Sequence, residues 1–387
     1  MMTLHTGTAI IGGGLMGCWA ALMLRRRGHR VTVLEKGHVG AQASGQNYGN
    51  LRVQGRHPGQ LPLSLRAHEA WERLRDYISD ACELDFNGHL YAARDDAGEI
   101  AKIETAARNA AAVGLDVEVL DRAALAARWP WLRGFAAASW SARDATANPR
   151  LVTPAVARAA RALGADIREG VRVRAAAAHS AGFRIEAEGL TLFADHLVNA
   201  AGAWAPEVAG WFGEGAPMFV GGPPQFVTTS APRFIGPSVQ AVDGSVIFRQ
   251  TRQGNVVVAG YPRGASDPVA NRAPVDPHRT LATMGHLLRA VPALADGVLL
   301  RVWSGIEGYI PDMLPVLGPS RTTPGLIHAF GFCGHGFQLG PGVGAVLADL
   351  VLDGRTATPL AHFDIARFAD GTSQVAESFR REFAAAR

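Results

Sequence analysis

Apolar and polar positions along the chain follow two periods. Ala9 to Ile11 form a short apolar run of the kind a buried strand needs, an apolar helix follows Gly17, and a second strand occupies 31–35. Apolar residues recur at helical spacing over 63–77, 101–113 and 278–291, with Gly114 placed as a C-cap. Residues 88–93 read as a strand. Asn148-Pro149 opens another helix, which leads to strand-like segments at 165–167 and 171–173. Leu197 to Ala201 is a buried strand that runs into a glycine turn at Gly202. From Phe226 to Tyr261 the pattern changes to short β segments at 226–229, 245–248 and 255–259. A last helix starts near Pro341 or Gly342 and continues through Leu352. No internal repeat interrupts this order. A sheet begun at the N-terminus is thus left for a β-rich insertion and rejoined near the C-terminus. The expected division places 1–85, 145–212 and 300–387 in one unit and 86–144 with 213–299 in the other.

The first turn carries specific chemistry. Gly12, Gly14 and Gly17 form G-x-G-x-x-G between a strand and a helix, and Glu35 ends the next strand. In such a unit the first glycine makes the tight turn, the second admits a pyrophosphate to backbone N–H groups, and the third lets helix and sheet pack closely. The helix presents its positive end to the phosphates. An acid at position 35 can accept from both ribose hydroxyls, which argues against a 2′-phosphate and leaves NAD or FAD. The interleaved order fits an extended FAD better than the contiguous unit usual for NAD.

Composition changes this picture little. The 387 residues, 48% apolar and 19% charged, suit a globular protein with two well-filled units. A formal charge of +4 comes almost wholly from arginine, without a dense basic run, so nucleic acid is not an expected partner. Cys18, Cys82 and Cys333 are too few and too scattered for a disulfide framework, an iron–sulfur cluster or a zinc site, and no metal is expected. No apolar stretch reaches membrane-spanning length, and the expected location is the cytoplasm. No Ser-His-Asp order, metal-binding histidine cluster or P-loop supports hydrolysis or phosphoryl transfer.

Further motifs are Ala43-Ser44 to Asn50, Val198 to Trp204, Pro311-Asp312 to Pro315, and Gly331 to Gln338. With the glycine turn and Glu35, they resemble the D-amino-acid oxidase superfamily of flavoproteins over nearly the whole chain. The resemblance is greatest to the branch of glycine oxidase, sarcosine oxidase and the catalytic subunits of opine and hydroxyproline dehydrogenases. It implies an α/β FAD-binding Rossmann-type domain with an interleaved α+β substrate domain built on a mainly antiparallel sheet. It also implies non-covalent FAD, since Gly305 or its neighbours stand where monomeric sarcosine oxidases carry a tethering cysteine.

The FAD contacts it implies begin with Gly12, Gly13, Gly14, Leu15, Met16, Gly17, Glu35 and Lys36. They continue through Ala43, Ser44, Asn47, Gly49, Asn50 and Leu51, with Val173 on the adenine side. Ala200, Ala201, Gly202, Trp204 and Gly305 follow. Gly334, His335, Gly336, Phe337 and Gln338 would lie along the flavin ring, where a helix N-terminus favours the negative charge of the reduced form.

The implied reaction is oxidation of a C–N bond in a D-amino acid or secondary amine such as an opine or D-hydroxyproline. His335 and Tyr309 are the catalytic candidates. The substrate carboxylate calls for an arginine fork, for which Arg52, Arg56 and Arg249 are candidates, with Tyr309 and Gln338 as hydrogen-bonding partners. Glu307 stands where glycine oxidase has its carboxylate-binding arginine, so glycine itself is disfavoured. Sarcosine-type oxidases place a lysine near the flavin for oxygen reduction. The matching segment 260–266 has Arg263 and no lysine, which favours a dehydrogenase passing electrons to another acceptor, such as a partner subunit. Alternatives are a flavin-dependent 2-hydroxy-acid oxidoreductase, a flavin-carrying subunit without independent activity, and an NAD-dependent dehydrogenase.

Overall fold

Thr8 to Ile11 are almost completely enclosed because their strand lies in the middle of a sheet covered on both faces. The computed structural model describes residues 2–180, 182–369, 371, 375, 376 and 379. In this sheet Val316–Pro319, Leu326–Phe330, Leu190–Asn199, Met2–Ile11, Val31–Leu34 and Asp166–Arg168 lie side by side in that order. All neighbours are parallel except the first pair. Gly182–Ala187 and Val173–His179 extend it as antiparallel strands beside Leu190–Asn199.

The first strand spans ten residues, far more than its apolar run, because residues 2–6 pair with 190–194 beyond the enclosed part of the sheet. Helices Leu15–Arg26 and Gly336–Asp353 pack together on one face. Gly344 permits their approach, since a Cβ there would lie 2.7 Å from the Trp19 carbonyl carbon. Gly336–Asp353 is buried on most of its faces, as an apolar helix must be, and ends at Gly354 in the left-handed conformation. It starts at Gly336, not at Pro341. Proline commonly opens a helix, but Pro341 sits inside this one. Gly336 is therefore the first helical residue and His335 the N-cap.

The second large sheet runs Leu299–Trp303, Gln225–Ser230, Asn255–Ala259, Ile247–Gln250, Ser238–Ala241, His89–Ala93, Ala137–Ser141, Glu118–Asp121. It is antiparallel except where Ser238–Ala241 meets His89–Ala93. Its apolar face, including Phe226, Val239, Phe248, Val256 and Val258, shares a core with Leu287 of helix Pro277–Ala290 and with Trp129. Leu299–Trp303 is an edge strand of this sheet, so residue 300 falls inside an element and cannot be a boundary. The helix read at 63–77 is Leu61–Glu72 followed by a short 3-10 turn, Leu74–Asp76. Two small sheets complete the strand pairing among the described residues. Phe219–Gly222 pairs with Gly264–Ala265 and Glu307–Tyr309, and Asn50–Leu51 pairs with Ala145–Thr146.

Candidate functional site

The glycine turn closes the end of the central parallel strands. Gly12 has φ +111°, and a Cβ there would lie 2.3 Å from the Ala200 carbonyl oxygen at the end of the neighbouring strand. Gly17 faces the turn from the helix, where a Cβ would lie 2.0 Å from the Gly12 oxygen. Glu35 binds two backbone amides, accepting from Gly13 N and Gly37 N, each at 2.7 Å. Ser44 Oγ accepts from Leu15 N at 2.8 Å and so anchors the 43–46 segment to the helix N-terminus.

A single cleft of about 2150 Å3, its open mouth included, runs from this turn into the second sheet. Glu35, Lys36, Val173 and Trp204 line one part of it. Gly12, Gly14, Leu15, Met16, Ala43, Ser44, Asn47, Gly49 and Asn50 line it too, as do Ala200, Ala201, Gly202 and Gly305. Gly334, His335, Gly336 and Phe337 join Arg52, Arg56 and Tyr309 on the wall. Lys36 Nζ sits 3.0 Å from the Trp204 ring centroid, and burial, with Arg172 nearby, lowers its ammonium to about 8. That cation–π contact holds Lys36 to Trp204.

The part of the cleft next to the second sheet is strongly cationic. Arg52, Arg56 and Arg263 are each at least 93% buried and line it together. Arg56 Nε and Nη2 donate to the Arg52 carbonyl, while its buried Nη1 has no hydrogen-bond partner among the described residues. The Arg263 guanidinium lies between the Tyr261 and Tyr309 rings, 4.2 and 4.3 Å from their centroids, and donates to Tyr261 Oη. Tyr309 Oη donates to Glu307 Oε2 at 2.5 Å, and Gly334 N donates to Glu307 Oε1 at 2.6 Å. Burial holds the His335 imidazole well below its usual range, and Arg56, Arg52 and Arg263 push it the same way. His335 is therefore neutral, with a buried Nδ1 that has no hydrogen-bond partner among the described residues. Behind the arginines, burial raises the Asp144 carboxyl to about 6 against the hydrogen bond from Val53 N and the pull of Arg52 and Arg56.

Five expected contacts fall elsewhere. Gln338 is fully buried and exchanges hydrogen bonds with Ser64, because its position on the helix turns it toward Leu61–Glu72 and away from the cleft. Arg249 spans the sheet to the 47–49 loop, donating to the Tyr48 and Ala147 carbonyls, and is not on the cleft wall. Leu51 belongs to the core beneath the loop. Gly13 and Gly17 shape the turn from behind without lining the cleft.

The sequence reading missed Gln240, which reaches the cleft from Ser238–Ala241, and Tyr48, Tyr261 and Gln225. Alternation in Ser238-Val-Gln-Ala is the only local signal for Gln240.

The model of the family described as FAD dependent oxidoreductase matches residues 8–350. Glycine oxidase of Geobacillus kaustophilus is 27% identical over 378 residues, covering 95% of this chain and 98% of that protein. One of the opine oxidase subunits of Rhizobium meliloti is 25% identical, covering 93% of this chain and 96% of that protein. Among solved structures, L-proline dehydrogenase from P. horikoshii superposes with a TM-score of 0.90 at 23% identity, over 96% of this chain and 100% of that one.

Proposed function

The chain belongs to the FAD dependent oxidoreductase family, and on that premise we propose that it oxidises the C–N bond of an amino acid or secondary amine that carries a carboxylate. The observation that carries this reading is the buried Arg52/Arg56 pair on the cleft wall beside neutral His335. A buried guanidinium needs an anion, and Asp144 behind the pair takes the Val53 amide on one oxygen. A substrate carboxylate supplies that charge.

The chain fits FAD on its own geometry. Gly12, Gly14 and Ser44 would receive the phosphates and Glu35 the ribose, with Gly334 to Phe337 lining the same cleft beside the ring. A Cβ at Gly305 would lie 2.8 Å from the Gln46 Cβ, a crowding that disfavours a cysteine at that position and supports a non-covalent flavin. When bound, FAD accepts the hydride that leaves the substrate carbon.

The residues around the substrate prepare that step. Arg52 and Arg56 hold the carboxylate and fix which C–H bond faces the cofactor. Their positive field, which adds to the burial that keeps His335 neutral, also makes a bound ammonium more acidic. The ammonium gives its proton to solvent water, and the amine is then delivered with its lone pair free. That pair forms C=N as the C–H bond breaks, and water hydrolyses the imine to release amine and carbonyl products.

Lys36, the one lysine on the cleft wall among the described residues, is held by Trp204 next to Glu35. Arg263 occupies the substrate end instead. The compact charge of a lysine favours superoxide formation, whereas the diffuse charge of Arg263 is stacked between the Tyr261 and Tyr309 rings, which favours a dehydrogenase using another acceptor, including a partner subunit. An anaerobic panel of D- and L-amino acids, N-alkyl amino acids, opines and 2-hydroxy acids tests both points. Bleaching of the flavin by an amine, with slow recovery in air, is the expected result. Bleaching by hydroxy acids alone would replace the amine reading, and fast recovery in air would replace the dehydrogenase reading.

A further inference from the structure

The 40–46 segment separates the cofactor cleft from a second, smaller pocket, and Gly40, Ala41 and Gln46 line both. The outer pocket is completed by Arg150 and Pro154, from helix Pro149–Ala162, and by Arg301 from the edge strand Leu299–Trp303. Both guanidinium groups lie near the Trp303 ring, with their Cζ atoms 5.6 Å (Arg150) and 6.0 Å (Arg301) from its centroid. Its Nε1 donates to the Gln46 carbonyl at 3.1 Å, so the indole is fixed to the segment shared with the cleft.

No carboxylate lines this pocket, and neither guanidinium forms an ion pair with a carboxylate among the described residues. Many other arginines of the surface do, among them Arg27, Arg143 and Arg161. Two like charges on one pocket repel each other, and burial, with Arg301 adding to it, lowers the affinity of Arg150 for its proton. An anion between them removes that cost and gains charge-assisted hydrogen bonds from two planar forks.

We propose that the pocket between Arg150 and Arg301 binds a phosphate-class dianion, either inorganic phosphate or the phosphate of a small monoester. A dianion matches two guanidinium groups in charge, and arginine forks match its oxygens in geometry. This site is separate from the substrate arginines, which lie on the other side of the 40–46 segment.

Calorimetric titration of the flavin-loaded protein with inorganic phosphate, adenosine monophosphate and acetate tests the proposal. Saturable binding of phosphate or the monoester is expected, with acetate at least about tenfold weaker. Tighter binding of the monoester identifies an ester phosphate, and equal or weaker binding identifies the free ion. Arg150→Ala and Arg301→Ala should each lower the affinity about tenfold or more while Arg301→Lys loses less. Absence of saturation up to about 10 mM in the unaltered protein would overturn the proposal. So would acetate binding as tightly as phosphate, or unchanged affinity in both alanine variants. Both side chains are on the surface, and retained flavin absorbance identifies folded variants.

Discussion

Arg56 grips the backbone of Arg52, donating from Nε at 3.1 Å and from Nη2 at 2.8 Å to the same carbonyl oxygen. This contact places two guanidinium groups, four residues apart, on one wall of the cleft. Arg52 in turn donates to the Gln54 carbonyl and lies 5.7 Å from the Tyr91 ring centroid.

Arg52→Ala should raise the substrate KM by about ten- to a hundredfold, the size of a lost charge-assisted contact, with flavin content unchanged. Arg56→Lys should behave in the same direction, because an ammonium lacks the two-pronged fork that steadies Arg52. Steady-state kinetics with the identified donor, beside the absorbance of bound flavin, provides the check. An unchanged KM in both variants would remove the pair from the substrate site.

Glu35 has a structural duty before any cofactor arrives, since its two oxygens hold Gly13 N and Gly37 N. Glu35→Gln can accept at only one side-chain atom and leaves one amide without its partner. FAD affinity should fall by about tenfold, which corresponds to one hydrogen bond to a charged acceptor. Equilibrium dialysis of the flavin against both proteins would show the difference.

The Asp144 carboxyl is raised from 3.8 to about 6 by burial. The folded protein therefore holds a proton that the unfolded chain has released between these values. Stability from this group falls as pH rises through that window and then levels off above about 6. The shift corresponds to about 3 kcal/mol. Asp144→Asn keeps an acceptor for Val53 N and removes the titration. Its stability relative to the unaltered protein should thus improve from pH 4 to pH 7, as read from urea unfolding. Parallel pH profiles for the two proteins would contradict the assignment.

Gln338 provides a contrast with the arginines. Its reciprocal hydrogen bonds with Ser64, at 2.7 and 2.9 Å, are buried between two helices. Gln338→Ala should cost about 1–3 kcal/mol of stability by leaving Ser64 unpaired. Substrate KM should stay where it was, and a selective rise in KM without loss of stability would return Gln338 to the site.

Local sequence determined the elements whose causes lie within a few residues. The glycines at 12, 14 and 17, the strand before them and the acid at 35 specify a nucleotide turn, because backbone freedom and charge act locally. The interleaved order of strands likewise showed that one sheet is left and rejoined. Residues of the glycine turn and of the 43–50, 198–204 and 331–337 segments lie on the cleft wall.

Tertiary structure decided which side of an element faces the cleft. Gln338 is two residues past Gly336, and the helix, begun earlier than Pro341 suggested, turns it toward Ser64. Arg249 and Gln240 both lie on strands of the second sheet, yet Gln240 reaches the cleft and Arg249 braces a loop. Strand alternation fixes two faces but not which one meets a cavity. That choice depends on pairing between segments far apart in the chain, which no local pattern encodes.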